Sequence, residues 1–379
     1  MIWEAAAAQL AEQVTYRSSP WRSIVARTPR HKFVPQWWEI ADGQWTLREP
    51  DNEEEWYRAA YADRSLITRV GRIHADCASS DVHPTGRPTS SATLPSLTVQ
   101  MFEHARMEES DELLDIGTGS GYGTALAARL LGADAVKSVD VDSYLVEAAR
   151  DRLAAVGPKP TVQTVDATGP LPFQAGQFDR IVATVSVRSV PPSWLHVLCP
   201  GGRLVTTIAG TSLLITAEKQ DDGSAKGRVE WGRAGFMHTR HGADYPPGLS
   251  GLLAAAHDQE GEDVTTGPYP VIDVANAWDL DSMLSLTAPD IEHAYREEGD
   301  RRIAVMAHAD GSWARASAVG TERPTVHQGG PRRLWDLLDE VRTYWLSHGE
   351  LPVRGARVTI KPDGTTVLDR AGWHVKLTA

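Results

Sequence analysis

Cysteine is almost absent from this sequence. The only two, Cys77 and Cys199, are far apart and form no CxxC pair, which argues against a disulfide framework or a zinc site. No apolar run approaches the roughly 18 residues of a membrane span, and the first residues, Met-Ile-Trp-Glu, contain no basic segment. We therefore expect no membrane partner and a reducing, cytoplasmic compartment.

Positive charge is also in deficit. Lys and Arg number 38 against 50 Asp and Glu, which gives a formal net charge of −12. Nucleic-acid-binding proteins usually carry a basic patch or stripe, so the balance argues against a nucleic-acid partner. The 379 residues are enough for two or three domains of about 150 residues each.

Phenylalanine is scarce, with 5 residues, whereas tryptophan is abundant and unevenly placed. Six of the 13 tryptophans lie before residue 57, five lie from Trp278 onward, and only Trp194 and Trp231 lie between. This distribution predicts a middle part of one kind with flanking segments of another. The flanking tryptophans either fill the cores of those segments or line a peptide groove, since aromatic residues are enriched at interfaces.

The most informative stretch is Leu113–Thr124, which reads LLDIGTGSGYGT. It predicts a buried strand, a glycine turn and a helix from Thr124 to Leu131, the first unit of an open α/β sheet. A dinucleotide fingerprint, G-x-G-x-x-G, would place its third glycine at position 122, which is Tyr122. The G-x-G-x-G string with Asp115 before it resembles motif I of S-adenosylmethionine (SAM) methyltransferases, although three glycines can also form a simple tight turn.

Two further strands end in acid. Val136–Asp140 predicts the second strand, followed by a helix over Tyr144–Val156, and Val162–Val165 predicts the third, followed by Asp166. A carboxylate at the end of the second strand can accept hydrogen bonds from both ribose hydroxyls of an adenosine. Asp140 is the favoured residue, and a shift of register would move the role to Asp142. Asp166 either contacts an adenine amino group, as such acids do in these methyltransferases, or is a turn residue.

Other segments point to one family. The stretch from Pro29 to about Thr239 resembles protein-L-isoaspartate O-methyltransferases, with the motifs in the family's order. The matching motifs are Pro29–Pro35 (PRHKFVP), Ala60–Asp63 (AYAD), the glycine turn, Phe178–Thr184, Val190–Leu195 and Cys199–Val205. The resemblance implies a Rossmann-like SAM-binding sheet, a carboxyl O-methyltransferase activity, and S-adenosylhomocysteine as product. The implied cofactor-binding residues are Asp115, Gly117, Thr118, Gly119, Ser120, Gly121, Tyr122, Asp140, Val141, Asp166 and Ala167.

A polar stretch between Gly71 and Thr98 is the candidate acceptor-binding loop, because long polar loops in compact domains are usually functional or disordered. In the family this loop carries a serine just before x-Pro, beside the substrate carboxylate. Here Thr93 precedes Leu94-Pro95, so Thr93 supplies the hydroxyl, or Ser90 and Ser91 do so from a shifted loop. Alternatively, hydroxyls of this region cap the helix that begins near Ser96. Arg87 is a candidate for orienting the carboxylate, or is simply an exposed arginine.

The pattern divides the chain into three expected parts. Residues 1–108 form an N-terminal helical and loop cap, 109–242 the SAM-binding core, and 243–379 an α+β accessory domain. The accessory part contains strand pairs (302–308 with 313–319, and 358–361 with 367–369) and a helix over Leu334–Ser347. It shows no catalytic motif. Its histidines lack metal-ligand spacing, so we expect no metal.

Methyl transfer to a carboxylate needs no general base, because a carboxyl group with a pKa near 4 is already ionised at neutral pH. The chain resembles the family branch with an added C-terminal domain that occurs beside ribosomally made peptides such as lanthipeptides and graspetides. That resemblance implies methylation of an Asp side chain in a cyclised precursor peptide. The methyl ester then closes to a succinimide (aspartimide), which persists or hydrolyses to isoaspartate.

Two alternatives remain. One is repair of isoaspartyl residues in damaged proteins; the added domain, which the resemblance implies is missing from repair enzymes, and Thr93 argue against it. The other is a catalytically silent peptide-binding module, against which the intact glycine turn and acids argue.

Overall fold

The computed structural model describes residues 2–49, 52–240, 245–350 and 353–378. Within these ranges no helix combines the length and the apolar character that a bilayer crossing requires. In chain order the helices are α1 (Ile2–Val14), α2 (Trp21–Arg27), α3 (Glu53–Ala60), α4 (Pro95–Ala105), α5 (Tyr122–Leu131), α6 (Ser143–Val156), α7 (Pro192–Val197), α8 (Ser250–Asp258), α9 (Trp278–Thr287) and α10 (Leu334–Ser347).

Three sheets account for the strands. In chain order the strands are β1 (Trp37–Ala41), β2 (Gln44–Arg48), β3 (Leu66–Val70), β4 (Ile73–His74), β5 (Pro88–Ala92), β6 (Leu113–Ile116), β7 (Val136–Asp140), β8 (Thr161–Thr164), β9 (Phe178–Val187), β10 (Leu198–Ile208), β11 (Leu213–Lys219), β12 (Ala225–Arg233), β13 (Asp263–Thr266), β14 (Glu292–Glu298), β15 (Arg301–Ala307), β16 (Trp313–Val319), β17 (Thr325–Gly329), β18 (Arg357–Ile360), β19 (Thr366–Arg370) and β20 (Trp373–Leu377).

The central sheet positions the site. Its parallel part has the order β10-β9-β6-β7-β8, with α5 and α6 as the crossovers from β6 to β7 and from β7 to β8. All four residues of β6 are buried, as expected for a parallel strand covered on both faces. The chain leaves β6 in one direction and returns to its other side as β9. The carboxyl ends of β6 and β9 therefore border the switch point where open α/β sheets bind ligands. The predicted Rossmann-like fold is confirmed.

The C-terminal strands extend this same sheet. Strand β18 pairs antiparallel with β12, with Ala225 opposite Ile360, and β19 and β20 continue the sheet outward. The expected accessory domain of residues 243–379 therefore differs from the structure in one respect: its last three strands belong to the central sheet. The expected boundary at 242/243 lies outside the described residues, and the three-part division of the chain stays a prediction.

A second sheet of five antiparallel strands, β13-β17-β16-β15-β14, forms the rest of the C-terminal part. Helices α9 and α10 cover one face through a core that includes Leu280, Leu284 and Trp335. Helix α8 covers the other face, where Ala256 packs against Trp313. The strand pairs and the α10 helix expected from the sequence are all present.

The N-terminal part packs helices α1 and α2 against α4 and α5 in one core. Its own sheet places β3 between β1 and β5. The stretch from Gly71 to Thr98 was expected to be a loop, but it contains β4, β5 and the start of α4. Strand β5 forms because its residues pair with β3, a contact between segments that are distant along the chain, and the polar sequence alone does not reveal this partner.

Candidate functional site

The glycine turn after β6 has the backbone that its sequence predicts. Gly117, Gly119 and Gly121 all have positive φ angles, of 96°, 51° and 88°, which L side chains rarely adopt. A Cβ on Gly117 would lie 2.9 Å from a methyl carbon of Val185, so the turn also needs glycine for close packing against β9. A Cβ on Gly119 would point toward the Ser91 carbonyl oxygen, 3.6 Å away. The turn therefore faces the strand that carries the candidate acceptor-binding hydroxyls.

Asp115 lies at the centre of a hydrogen-bond network that stabilises the turn. One of its carboxylate oxygens accepts hydrogen bonds from the Thr124 hydroxyl, at 2.7 Å, and the Ser138 hydroxyl, at 2.8 Å. The Thr118 hydroxyl lies 2.6 Å from the Ser138 hydroxyl and extends the network. Burial raises the pKa of Asp115, and the two hydroxyl donors oppose that rise. Its main contact is thus with the protein, which fixes the geometry of the turn.

Asp140 ends β7 beside the turn. Its carboxylate accepts the backbone N–H of Gly119 at 2.9 Å on one oxygen and that of Asp142 at 3.1 Å on the other. Each oxygen keeps a further acceptor position, which suits a pair of vicinal hydroxyls. Burial raises the pKa of Asp140, against the effect of these two N–H donors. The neighbouring Asp142 instead caps α6 by accepting from the backbone N–H groups of Tyr144 and Leu145. Of the two candidates for the ribose hydroxyls, Asp140 is therefore the one with free acceptor positions.

Asp166 follows β8 and closes a local turn. One of its oxygens accepts from the backbone N–H and the hydroxyl of Thr168, at 3.0 and 2.6 Å. The next carbonyl, on Ala167, accepts the indole N–H of Trp194 at 2.7 Å. Asp166 is thus a turn residue that also lines the cavity described next, and its contact with an adenine amino group stays a prediction.

One cavity of about 280 Å³ brings these residues together. Thirteen of the fifteen predicted site residues line it, namely Ser90, Ser91, Thr93, Asp115, Gly117, Thr118, Gly119, Ser120, Tyr122, Asp140, Val141, Asp166 and Ala167. The two others, Gly121 and Arg87, are not on its wall. Its charged lining residues are Asp115, Asp140, Asp166 and one cation, Arg240.

The acceptor face of the cavity is formed by β5 and the residues that follow it. The Ser90 hydroxyl accepts a hydrogen bond from Thr68 at 2.9 Å and is buried. The hydroxyls of Ser91 and Thr93 make no hydrogen bond within the described part of the chain, so both can donate to a ligand. The buried hydroxyl of Tyr122, another residue of the cavity wall, also has no partner among the described residues, and burial raises the pKa of Tyr122 to about 12.

Arg30, from the Pro29–Pro35 motif, supports this face from behind. Its fully buried guanidinium donates to five carbonyl oxygens, those of Ala60, Ala62, Arg64, Ala92 and Thr93, at 2.6–3.3 Å. Burial lowers the pKa of Arg30 to about 10, so the group stays cationic at neutral pH. Arg30 therefore ties the end of β5 and Thr93 to the loop after α3.

Two of the predicted site residues do not lie on the cavity wall. Arg87 is exposed, and its guanidinium forms an ion pair with Glu292 of β14, so it is engaged away from the cavity. Gly121 is the N-cap of α5, and a Cβ there would lie 3.1 Å from that of Ala149 in α6, so its role toward the cofactor stays a prediction. The predicted capping of α4 by nearby hydroxyls is wrong, since Asp63 accepts the Ser96 N–H at 2.9 Å.

Sequence reasoning missed one wall of the cavity. Six consecutive residues, 235–240, line it, and we call them the cover segment. Ser186 holds this segment, because its backbone N–H donates to the Met237 carbonyl and its carbonyl accepts from Thr239, both at 2.9 Å. Arg240, at the end of the segment, donates to the Thr89 carbonyl at 3.4 Å. The six residues carry no recognisable motif, and only their position after β12 could have indicated their role.

These features fit S-adenosylmethionine. The glycine turn leaves room that side chains would fill, Asp140 has spare acceptor positions at the end of the second parallel strand, and three carboxylates suit the positive charge of a sulfonium. Among the described residues no group of His, Cys, Asp or Glu could hold a metal ion. The role of each individual residue toward the cofactor stays a prediction.

Comparison with known proteins gives consistent results. A sequence model of the family described as Protein-L-isoaspartate(D-aspartate) O-methyltransferase (PCMT) matches residues 59–233. The protein-L-isoaspartate O-methyltransferase of Rhodopseudomonas palustris strain BisB5 is 32% identical over 178 residues, which are 44% of this chain and 81% of that protein. Protein-L-isoaspartate O-methyltransferase 2 of R. palustris strain HaA2 is 33% identical over 41% of this chain and 71% of its own length.

A solved structure named protein-L-isoaspartate O-methyltransferase matches over 99% of both chains, with a TM-score of 0.50 and 16% identity. At that identity the likeness shows the fold alone. A protein with this name therefore shares the fold over nearly the whole length of this chain.

Proposed function

Because the chain belongs to the protein-L-isoaspartate O-methyltransferase family, and is therefore a SAM-dependent carboxyl O-methyltransferase, we propose that its acceptor is an aspartyl side chain in a modified, ribosomally made precursor peptide. One observation supports a carboxylate acceptor: residues with free hydroxyl donors and the predicted cofactor-binding residues line the same cavity. Ser91 and Thr93 line the same cavity as the glycine turn and Asp140.

The residues of this chain have a limited task in such a reaction. S-adenosylmethionine, when bound, supplies an electrophilic methyl group on a sulfonium sulfur. The acceptor carboxylate is ionised at neutral pH, so no side chain has to remove a proton. Thr93 and Ser91 orient the carboxylate by donating hydrogen bonds, and Arg30 fixes Thr93 through its carbonyl. Orientation of this kind can contribute several kcal/mol to catalysis.

Two observations support the finer proposal of a precursor peptide. By the resemblance drawn from the sequence, Thr93 occupies the position of the family's serine, and its extra methyl group changes the shape of the acceptor face. The accessory sheet is also tied to the acceptor strand, because Glu292 of β14 pairs with Arg87, one residue before β5. A peptide bound near β5 would thus lie close to a sheet that can contribute to its recognition. The following backbone nitrogen would then attack the ester carbonyl carbon and give up its proton, and the bond to the methoxy oxygen would break, so that methanol leaves and a succinimide forms.

Repair of isoaspartyl residues is the second candidate function. It is supported by the names of the relatives and by the full-length fold match to a structure with that name. The two functions differ in the acceptor. Repair needs only an isoaspartyl residue in an unstructured peptide, whereas maturation needs an ordinary aspartate presented by a modified peptide.

Two synthetic peptides separate these functions. One carries a single L-aspartate inside a side-chain-bridged ring, and the other is linear with a single L-isoaspartate. Each is incubated with the enzyme and SAM and followed by mass spectrometry. Maturation predicts that only the ring peptide gains a methyl group and then falls to one water below its starting mass. Rapid methylation of the linear peptide alone would overturn our choice in favour of repair.

Asp140→Asn serves as the variant with weakened cofactor binding, and Asp134→Asn, which changes an exposed aspartate, is the matched control. Full activity of Asp140→Asn would contradict the assigned cofactor site. Methylation of neither peptide by the unchanged enzyme would contradict both acceptor proposals.

A further inference from the structure

A second, open groove lies beside the cavity. Its volume is about 730 Å³, and it shares two wall residues, Leu97 and Gly235, with the cavity. Leu94 and Ser96, which follow Thr93 along the chain, also line it. The groove thus continues from the acceptor side of the cavity, and we call it the flank groove.

The chemistry of the flank groove is nearly neutral. Its charged lining residues are one anion, Glu103, and one cation, Arg233. The amides of Gln13 and Gln100 can both donate and accept hydrogen bonds, as a peptide main chain requires. A cleft of this composition suits an extended peptide with uncharged side chains better than a nucleic acid or a free anion.

One aromatic residue lines this groove, and a second contacts an arginine of its wall. Tyr16, two residues after the end of α1, is 78% exposed and lines the groove. Arg233 stacks over the ring of Trp278, the first residue of α9, and Trp278 is itself 45% exposed. Tyrosine, tryptophan and arginine are the residue types that dominate binding energy at peptide and protein interfaces. The pair also brings the accessory part of the chain to the groove.

We propose that the flank groove binds the peptide segment on one side of the acceptor residue, with Tyr16 and the Arg233–Trp278 pair as its anchors. The inference rests on the proposed function in one respect, that the acceptor belongs to a peptide. It goes further, because it assigns a substrate subsite and gives the accessory part of the chain a role through α9. Bound peptide would enter the cavity at its acceptor residue and leave past Leu97.

The test uses both synthetic peptides, each made without a tail, with a four-residue uncharged tail before the acceptor residue or ring, and with the same tail after it. Fluorescein-labelled versions are titrated with the full-length enzyme saturated with S-adenosylhomocysteine, and binding is followed by anisotropy. For the peptide that binds, we expect one of the two tails to strengthen binding by about tenfold, the size of a single aromatic anchor. Tyr16→Ala is expected to remove that gain and to leave binding of the tailless peptide unchanged.

Ile40→Ala is the matched control, because Ile40 is 61% exposed and lies outside both cavities. Trp278→Ala provides a second variant, expected to reduce the same gain. Three results would overturn the proposal that the flank groove binds peptide. They are equal binding with and without tails, no binding of any tailed peptide, and a full tail-dependent gain in affinity in Tyr16→Ala. If the enzyme still methylated the tailless peptide, the proposed function would stand although the role of the groove had failed. Failure of the groove and failure of the proposed function are therefore distinguishable.

Discussion

The guanidinium of Arg30 donates a hydrogen bond of 3.2 Å to the carbonyl oxygen of Thr93. These residues are 63 positions apart, one in the Pro29–Pro35 motif and the other on the acceptor face. The contact links an arginine that is distant along the chain from the glycine turn to the acceptor face of the site. It sets the position of Thr93 through its backbone and leaves the Thr93 hydroxyl for a ligand.

Arg30→Lys should therefore damage both stability and activity. A lysine keeps the charge but cannot donate to five carbonyl oxygens at once, and buried carbonyls that lose their donors are costly. We expect the free energy of unfolding to fall by about 2–4 kcal/mol, measured by urea denaturation. Arg58→Lys, which changes an arginine whose side chain is 73% exposed, should have almost no effect. Equal stability of the two variants would contradict the supporting role of Arg30.

Thr93→Val tests the acceptor hydroxyl. Valine has nearly the shape of threonine but cannot donate, so we expect kcat/KM for the peptide to fall by about tenfold to hundredfold with an unchanged Kd for SAM. Thr93→Ser should restore most of the activity, because the hydroxyl returns. Thr161→Val removes an exposed hydroxyl on β8 and should change neither quantity. If Thr93→Val were fully active, the donor would have to be Ser91 or Ser90.

Asp140→Asn should weaken cofactor binding. The amide keeps one acceptor oxygen and loses the charge, which costs about 1.5–3 kcal/mol for hydrogen bonds to an ionised group, or roughly tenfold or more in Kd. Isothermal titration with S-adenosylhomocysteine measures this directly, with Asp134→Asn as the control. Burial raises the pKa of Asp140, so affinity of the unchanged enzyme should fall as the pH drops through that raised pKa. The pH dependence should vanish in Asp140→Asn.

Arg87→Ala checks the role of Arg87. Its ion pair with Glu292 is partly exposed, with 51% of the Arg87 side chain accessible, so the loss of stability should stay below about 1 kcal/mol. Activity on a tailless peptide should remain within about twofold of the unchanged enzyme, since exposed ion pairs contribute little. Glu292→Ala should behave alike, and the double variant no worse. A large fall in kcat for Arg87→Ala alone would return Arg87 to the site.

Asp281 provides a prediction about pH. Burial raises its pKa to about 6, so the ionised group destabilises the fold above that pH. This cost disappears as the pH falls from about 6 to about 4, the pKa of the group in the unfolded chain. Asp281→Asn should therefore be more stable than the unchanged chain at pH 7, by about 1–3 kcal/mol, and the advantage should disappear near pH 4. Thermal unfolding between pH 4 and 8 measures it. Asp258→Asn, at a side chain that is 95% exposed, should show no such difference.

The parts of the site that the sequence predicts well are local. The glycine turn and Asp140 depend on a strand and the few residues after it, and both lie where the pattern places them. Thr93 could be predicted to line the cavity because Pro95, which marks the motif, lies only two residues after it. In each case the residues that decide the geometry are neighbours along the chain.

The parts that the sequence did not reveal depend on distant partners. The partner of Arg87, Glu292, is 205 residues away, and nothing near Arg87 indicates that pairing. The capping of α4 by Asp63 and the placement of the cover segment on Ser186 likewise join separate segments. The addition of β18 to β12 is of the same kind, since the two strands are more than a hundred residues apart.

The pairing of β18 with β12 has a consequence for the order of folding during synthesis. Strand β12 is complete at residue 233, but its neighbour is translated only at residues 357–360. Until then the central sheet ends in an open edge of unpaired backbone groups, which attract other strands and promote aggregation. The strands β13–β17 are therefore synthesised before β18 can pair with β12. The edge of the central sheet stays unpaired until the C-terminal strands are made.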